Sequence, residues 1–307
     1  MYHRFNENKY PSTNIKIDVF KKQLDLVEKN NIEYYDPSIF DIEFNNPKKN
    51  KKILLTIDDA FSSFYENAWP ILKKRKIPFI LFVSTEPVGK SGYMSWDQIK
   101  EVSSYDFAYI GNHSHTHEYL LDFSHDEFED DIKNSIKIFK EKLGYNPVFF
   151  SYPFGEFNLK QTKFITQNFK YGFGQHSGVI DLTKNRFELP RFPINEKYGD
   201  LERFEFILKL FPIAYKNLKP SEKFISKDQN PPTIEIEFFK EQKMIQNINC
   251  FSNEGNEWRN SILRFEENFL KINFREKFTF RRGRVNCSLK DEDVWRWLGI
   301  QMSIEVN

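Results

Sequence analysis

The chain has 307 residues, room for two domains of ~150 residues or for one barrel of ~250 with additions. Its formal net charge of +1 gives no electrostatic case for nucleic acid or for an anionic membrane surface. No apolar run approaches ~18 residues, so no membrane span is expected, and no apolar segment behind Met1-Tyr2-His3-Arg4 reads as a signal peptide. That start points to a cytoplasmic chain, export staying open if the natural start lies further upstream.

Residues 17–29 carry Val19, Phe20, Leu24 and Val27 at helical spacing and predict an amphipathic helix. A polar Asn/Lys/Pro-rich loop is expected from there to residue 50. Ile53-Leu54-Leu55-Thr56-Ile57 then reads as a buried parallel strand that ends in Asp58-Asp59. A helix is expected over 64–76, with Pro70 as a kink or break. Residues 79–83 form a second buried strand, and Ser95 caps a short helix over 96–102.

A third strand over 106–110 runs into Gly111-Asn112-His113. Ser124 caps a helix over 126–143 that Gly144 closes. A fourth strand, 148–151, ends in Tyr152-Pro153-Phe154-Gly155. A helix over 159–169 and a short strand over 171–174 follow. Strand alternating with helix implies crossover connections, hence a mostly parallel sheet or barrel in an α/β fold.

After Lys216 the pattern changes. Residues 233–238, 269–274, 277–280 and 301–306 alternate with period two, which predicts strands of a small antiparallel all-β domain, a sandwich. The expected division is 1–216 and 217–307, with the linker near Lys219-Pro220-Ser221. Cys250 and Cys287 are too few for a disulfide framework and are expected as reduced, buried thiols. Trp258, Trp295 and Trp297 could stack on sugar rings, but Trp295 and Trp297 share one strand face, where core packing is the expectation.

Three strand ends therefore bear chemistry. Adjacent carboxylates repel unless a cation or a proton is shared between them. His113 and His117 are four apart, which puts both imidazoles on one side of a helical segment. Two imidazoles and one carboxylate make a donor set for Zn²⁺ first, then Co²⁺, Fe²⁺ or Ni²⁺. Taken alone, His113-Ser114-His115-Thr116-His117 reads equally well as a polar surface loop.

Together these residues resemble the polysaccharide deacetylase family, the NodB-homology or carbohydrate esterase family 4 domain, from Tyr2 to Leu210. Thr56-Ile57-Asp58-Asp59 is similar to its first motif, Thr-Phe-Asp-Asp. His113-Ser114-His115-Thr116-His117 fits its second, His-Ser/Thr-x-x-His. Ser151-Tyr152-Pro153-Phe154-Gly155 resembles its third, Arg-Pro-Pro-Tyr-Gly, and Tyr93-Met94-Ser95-Trp96 resembles a tract between the first two. The resemblance implies a distorted (β/α) barrel with its site at the C-terminal strand ends. It implies Asp59, His113 and His117 as ligands of a divalent metal, Zn²⁺ in first place, and Asp58 as general base. The backbone N–H of Phe154 would stabilise the oxyanion, its side chain playing no part. The implied substrate is an N- or O-acetylated saccharide.

The chain also departs from that pattern. Ser151 stands where the family often has Arg, and the Asp-Trp fourth motif is missing. Arg191, in Leu189-Pro190-Arg191-Phe192-Pro193, is the candidate to lie near the base, with a surface ion pair as the other reading. The late Leu-x-His motif is missing too, which leaves His176 as the candidate acid for the leaving amine, or as an ordinary loop histidine. His3 matches a Tyr-His pair common near the start of these domains. Two other functions fit the same residues: a metal-dependent hydrolase of cyclic amides or ureides, and a catalytically impaired glycan-binding protein. The C-terminal domain is read as a structural cap or as a glycan- or partner-binding surface. Oligomeric state is not readable.

Overall fold

A computed structural model describes residues 1–47, 51–240, 242 and 244–305. The end of the polar loop, 48–50, and Val306 of the last β run lie outside the described residues. Five parallel strands form the frame: β1 (Leu55–Ile57), β2 (Phe79–Val83), β3 (Ala108–Asn112), β4 (Phe149–Ser151) and β5 (Tyr171–Phe173). They pair in chain order. Parallel neighbours need a crossover each, and the helices Trp69–Arg75, Trp96–Ser103, His125–Leu143 and Leu159–Asn168 supply them. Tyr2 pairs in parallel with Ile57 at one edge and Leu189 with Phe173 at the other. The Ile194 N–H reaches the Met1 carbonyl at 2.9 Å, which carries the curl on towards closure. The fold is the expected distorted (β/α) barrel of NodB type.

Burial explains the unbroken apolar run of β2. Phe79, Leu81 and Val83 pack with the cluster beneath the helices. Ile80 and Phe82 point into the curl against Phe149, Tyr171, Phe173 and Leu189. Gly111 on β3 permits that arrangement, because a Cβ there would lie 2.3 Å from the Phe82 ring. A side chain at 111 would push apart the strand pairing that aims His113.

Local signals set most helix ends. Ser124 and Glu127 form a reciprocal capping box, and Gly144 closes the same helix at φ 84°. Pro70 breaks nothing. A π-helical turn, Phe64–Ala68, runs into the helix Trp69–Arg75, and Pro70 occupies its first turn, where a missing N–H costs little. The loop expected before β1 contains structure of its own. Glu33–Tyr34 pairs with Lys52–Ile53, and Phe40–Asn45 is a short helix. Tyr35 and Phe40 fill the open side of the curl, so tertiary burial overrides the polar composition there.

The C-terminal part is all-β. One antiparallel sheet joins Asn217–Lys219, Ile234–Glu237, Phe269–Asn273 and Ile262–Glu266 in that spatial order. The other is built on a long hairpin, Arg282–Asp291 with Val294–Ile304. Asn249–Ser252 flanks the hairpin on one side; Phe211–Pro212 and Phe224–Ile225 lie on the other. Ile234, Ile236, Leu270 and Ile272 face Val285, Leu289, Ile300 and Met302 in one core.

Three expectations are corrected here. Residues 277–280 are not a strand; Phe278 instead turns in against Phe274, ring centroids 4.8 Å apart. Cys250 and Cys287 sit directly opposite on neighbouring antiparallel strands and form a disulfide. Strand register brings them together, and their separation of 37 residues carries no hint of it. Trp295 is not core. It is 40% exposed at the free end of the hairpin, edge-on to Phe206. Trp297 is half-buried, with its Nε1 donating to the Ser177 carbonyl. Among the described residues no helix is long and apolar enough to cross a membrane.

Candidate metal centre

The loops leaving β1, β3 and β4 meet at the C-terminal mouth of the curl. Their backbones are unusual. Asp59, Ala60, Ser114, His117 and Phe154 all have positive φ, five of the twelve non-glycine residues so described. Such conformations cost free energy and persist only where their surroundings impose them, so strain is concentrated at this mouth. The loop holding the histidines is not helical, contrary to the spacing argument. Left-handed turns at Ser114 (φ 70°) and His117 (φ 58°) swing the second imidazole back beside the first.

Polar contacts fix that loop. The Ser114 N–H donates to Asn112 Oδ1 at 2.8 Å, and the His117 N–H to Ser114 Oγ at 3.0 Å. Asp131, on the long helix, accepts from the N–H groups of His115 and Thr116 and from the Thr116 hydroxyl at 2.7–3.0 Å. Ser135, one turn further, accepts from Asn112 Nδ2 at 2.8 Å. Sequence reasoning passed over Asp131 and Ser135. Their signal was present: two polar residues four apart on a stripe otherwise made of Phe128, Ile132 and Phe139.

Asp59, His113 and His117 each offer a ligand atom, all within 4.8 Å of one another. His117 Nε2 lies 3.1 Å from Asp59 Oδ1, and His113 Nε2 lies 3.5 Å from the same oxygen. His113 Nδ1 is 2.7 Å from the Ser151 carbonyl, which can only accept. The proton therefore sits on Nδ1 and the Nε2 lone pair faces the cluster. Both His113 Nε2 and Asp59 Oδ1 are buried without a hydrogen-bond partner. Stranding two such atoms is costly, and a divalent cation would satisfy both. The donor set thus fits a metal.

The electrostatics agree. Burial holds the His113 imidazole down at about 4, against the pull of Asp58, so it is neutral and able to ligate at pH 7. Burial would raise Asp59, but the adjacent His117 and the other nearby imidazoles outweigh it and keep the carboxylate ionised. For His117, burial is outweighed by the adjacent Asp59 carboxylate, and its affinity for a proton rises.

Asp58 is fully buried beside this cluster, its Oδ2 3.8 Å from His113 Nε2. Arg191 grips it with two parallel bonds, Nη1 to Oδ1 at 2.6 Å and Nη2 to Oδ2 at 2.9 Å. The guanidinium is itself held by the Ser151 hydroxyl at 2.7 Å and the Gly174 carbonyl at 2.9 Å. Burial would push Asp58 up; Arg191, His113 and His3 hold it below the ordinary carboxylate value. His3 is half-buried near both carboxylates, which partly offset the desolvation that lowers its proton affinity.

Two of the histidines singled out in the sequence stay outside. His115 turns its Nδ1 to the Thr85 hydroxyl at 2.8 Å. His176, the expected acid, is not brought to the base. Its imidazole lines a separate cavity of about 320 Å³ with Glu188, Tyr215, Lys223 and Trp297. None of Asp58, Asp59, His113 or His117 borders that cavity. Arg191 separates the two regions, its N–H on the His176 carbonyl and its guanidinium on Asp58. The Phe154 ring is not idle either, standing 4.9 Å from the His117 ring and stacked at 4.2 Å on Tyr119.

A family profile described as polysaccharide deacetylase matches residues 45–172, which include all three metal-binding candidates and Asp58. Over those residues the chain is similar to the polysaccharide deacetylase family. Among relatives of this deacetylase family, the poly-β-1,6-N-acetyl-D-glucosamine N-deacetylase of Staphylococcus aureus is 27% identical over 173 residues. That match spans 52% of this chain and 58% of the relative. The solved structure of IcaB from Ammonifex degensii superposes with a TM-score of 0.59 at 25% identity, over 67% of this chain and 94% of that one. The Streptococcus pyogenes deacetylase PplD, solved with acetate, superposes with a TM-score of 0.59 at 24% identity, over 64% and 92% of the two chains, and supports the fold. The deacetylase family comprises hydrolases of non-peptide carbon–nitrogen bonds.

Proposed function

We propose that this chain is a metal-dependent deacetylase of N-acetylated saccharides. Residues 1–216 would carry the chemistry and 217–307 would form an accessory β domain. The observation that carries the proposal is the convergence of Asp59, His113 and His117 beside a carboxylate clamped by arginine. The name of the staphylococcal relative supports a polymer of N-acetylglucosamine as the substrate class. The N₂O donor set suits Zn²⁺. A divalent cation held there would supply Lewis-acid charge, polarising an acyl oxygen and acidifying water.

The chain's own residues do the rest. Asp58, kept ionised by Arg191, retains free lone pairs on both oxygens and accepts the proton of the attacking water. The Phe154 N–H, aimed by the left-handed turn, donates to the oxyanion as charge develops. Asp131 and Asn112 hold the histidine loop and so preserve the ligand geometry. The intact base argues against a purely glycan-binding role. The Cys250–Cys287 disulfide favours an oxidising compartment over the cytoplasm.

The test is acetate release from β-1,6-linked N-acetylglucosamine oligomers. Steady release by the zinc-loaded chain is expected, stopping on chelation and returning when zinc is restored. No release from any N- or O-acetylated saccharide would overturn the proposal.

A further inference from the structure

Outside the metal centre, one link between the two parts of the chain falls on the turn after β4. Gln301, near the end of the strand Val294–Ile304, is 6% exposed. Its Nε2 donates to the carbonyls of Phe154 and Gly155, both at 3.0 Å. Its Oε1 accepts from Arg284 Nε at 3.2 Å. Only one orientation of the amide satisfies an arginine on one side and two carbonyls on the other, so its direction is determined.

A second link reinforces the first. Arg281 Nε donates to Glu156 Oε2 at 2.8 Å, and its Nη1 to Asp122 Oδ2 at 2.9 Å. Its guanidinium lies 4.2 Å over the Tyr119 ring, and Tyr119 stacks on Phe154. Arg281 thus joins the loop after His117 to the turn after Pro153. The turn needs such support. Phe154 and Gly155 are both left-handed, at φ 59° and 68°, and for Phe154 that is a strained state. Residues 281 and 301 lie outside the 45–172 family match.

We propose that the C-terminal β domain is a working part of the active site: Gln301 is a positioning residue that holds the Phe154–Gly155 turn in its reactive shape. This rests on the deacetylase reading for what the turn does, though not for the clamp itself. An amide that pins two consecutive carbonyls fixes the planes of the peptide units that follow the Phe154 N–H. Releasing it lets the strained residue relax and moves that N–H off its target. Displacements of about 1 Å at a reacting centre cost up to ~10²-fold in rate.

The test uses the full chain with Gln301→Met, which keeps the bulk and removes the donors, and Gln301→Glu, which turns acceptors onto the two carbonyls. Amide hydrogen exchange at Gly155 and Glu156 is expected to speed up at least tenfold in both variants, with β1–β5 unchanged. For acetate release, kcat should fall about ten- to a hundredfold, with KM within twofold and metal content unaltered. Arg281→Met should give the same pattern more weakly. Unchanged exchange in the turn of a folded Gln301→Met protein would overturn the clamp. If the wild type released no acetate, the deacetylase reading would fall, while the exchange result would still decide the clamp.

Discussion

Replacing Asp58 by Asn is expected to lower kcat for acetate release about 10²- to 10⁴-fold while the chain keeps its metal. Asn preserves shape and one acceptor but cannot take a proton from water at neutral pH. Asp58 is not among the three residues whose ligand atoms converge, so its loss should leave the metal bound. The variant also leaves Arg191 buried opposite a neutral group, which destabilises the fold. Rates are therefore compared well below the melting point, with metal content measured on the same sample. A variant that stays folded, metal-loaded and within tenfold of wild-type kcat would remove Asp58 from the role of base.

Arg191→Met is expected to cost about 3–5 kcal/mol of stability at pH 7, because it strands a buried carboxylate. The sign of the pH dependence follows from Asp58. In the wild type its carboxyl is held below the ordinary value, so the pair stabilises the fold above that value. That stability is lost as pH falls through the folded-state value. Without Arg191, burial remains the leading influence and carries Asp58 upward. The deficit of the variant should accordingly be largest near neutrality and shrink towards pH 4, where a protonated Asp58 needs no cation. Urea unfolding across that range, in chelator so that metal binding does not contribute, measures it. A deficit independent of pH would mean that Arg191 acts through packing alone.

The barrel was legible because its strands are short apolar runs ending in chemistry. Ile53 to Asp59 shows both at once, and the parallel order followed from the helices between strands. The candidate triad was legible through types and order of residues, but the reason for its convergence was not. Spacing of four suggested a helical face, whereas left-handed turns at Ser114 and His117 bring the imidazoles together. Positive φ at a non-glycine residue leaves no mark in the sequence. Ser151, where the third motif often has arginine, is small, and the guanidinium of Arg191 reaches Asp58 from another segment, with the Ser151 hydroxyl as its partner.

His176 shows the opposite case, a residue that follows a strand yet lines a cavity apart from the metal centre. Which way a loop histidine points is decided by long-range packing, here by Arg191 and by Trp297 and Tyr215 around the neighbouring cavity. The disulfide and the Gln301 clamp were hidden for a related reason. Both depend on strand register within the C-terminal sheets, and a one-residue slip would reverse each side chain.

Metal analysis of the purified full chain tests the central claim most directly. After loading with zinc and dialysis, the wild type and Asp58→Asn should each hold one divalent ion per chain, whereas His113→Ala and Asp59→Ala should hold less than a tenth of that. Equal metal in the wild type and in a folded His113→Ala protein, or none in either, would contradict the account.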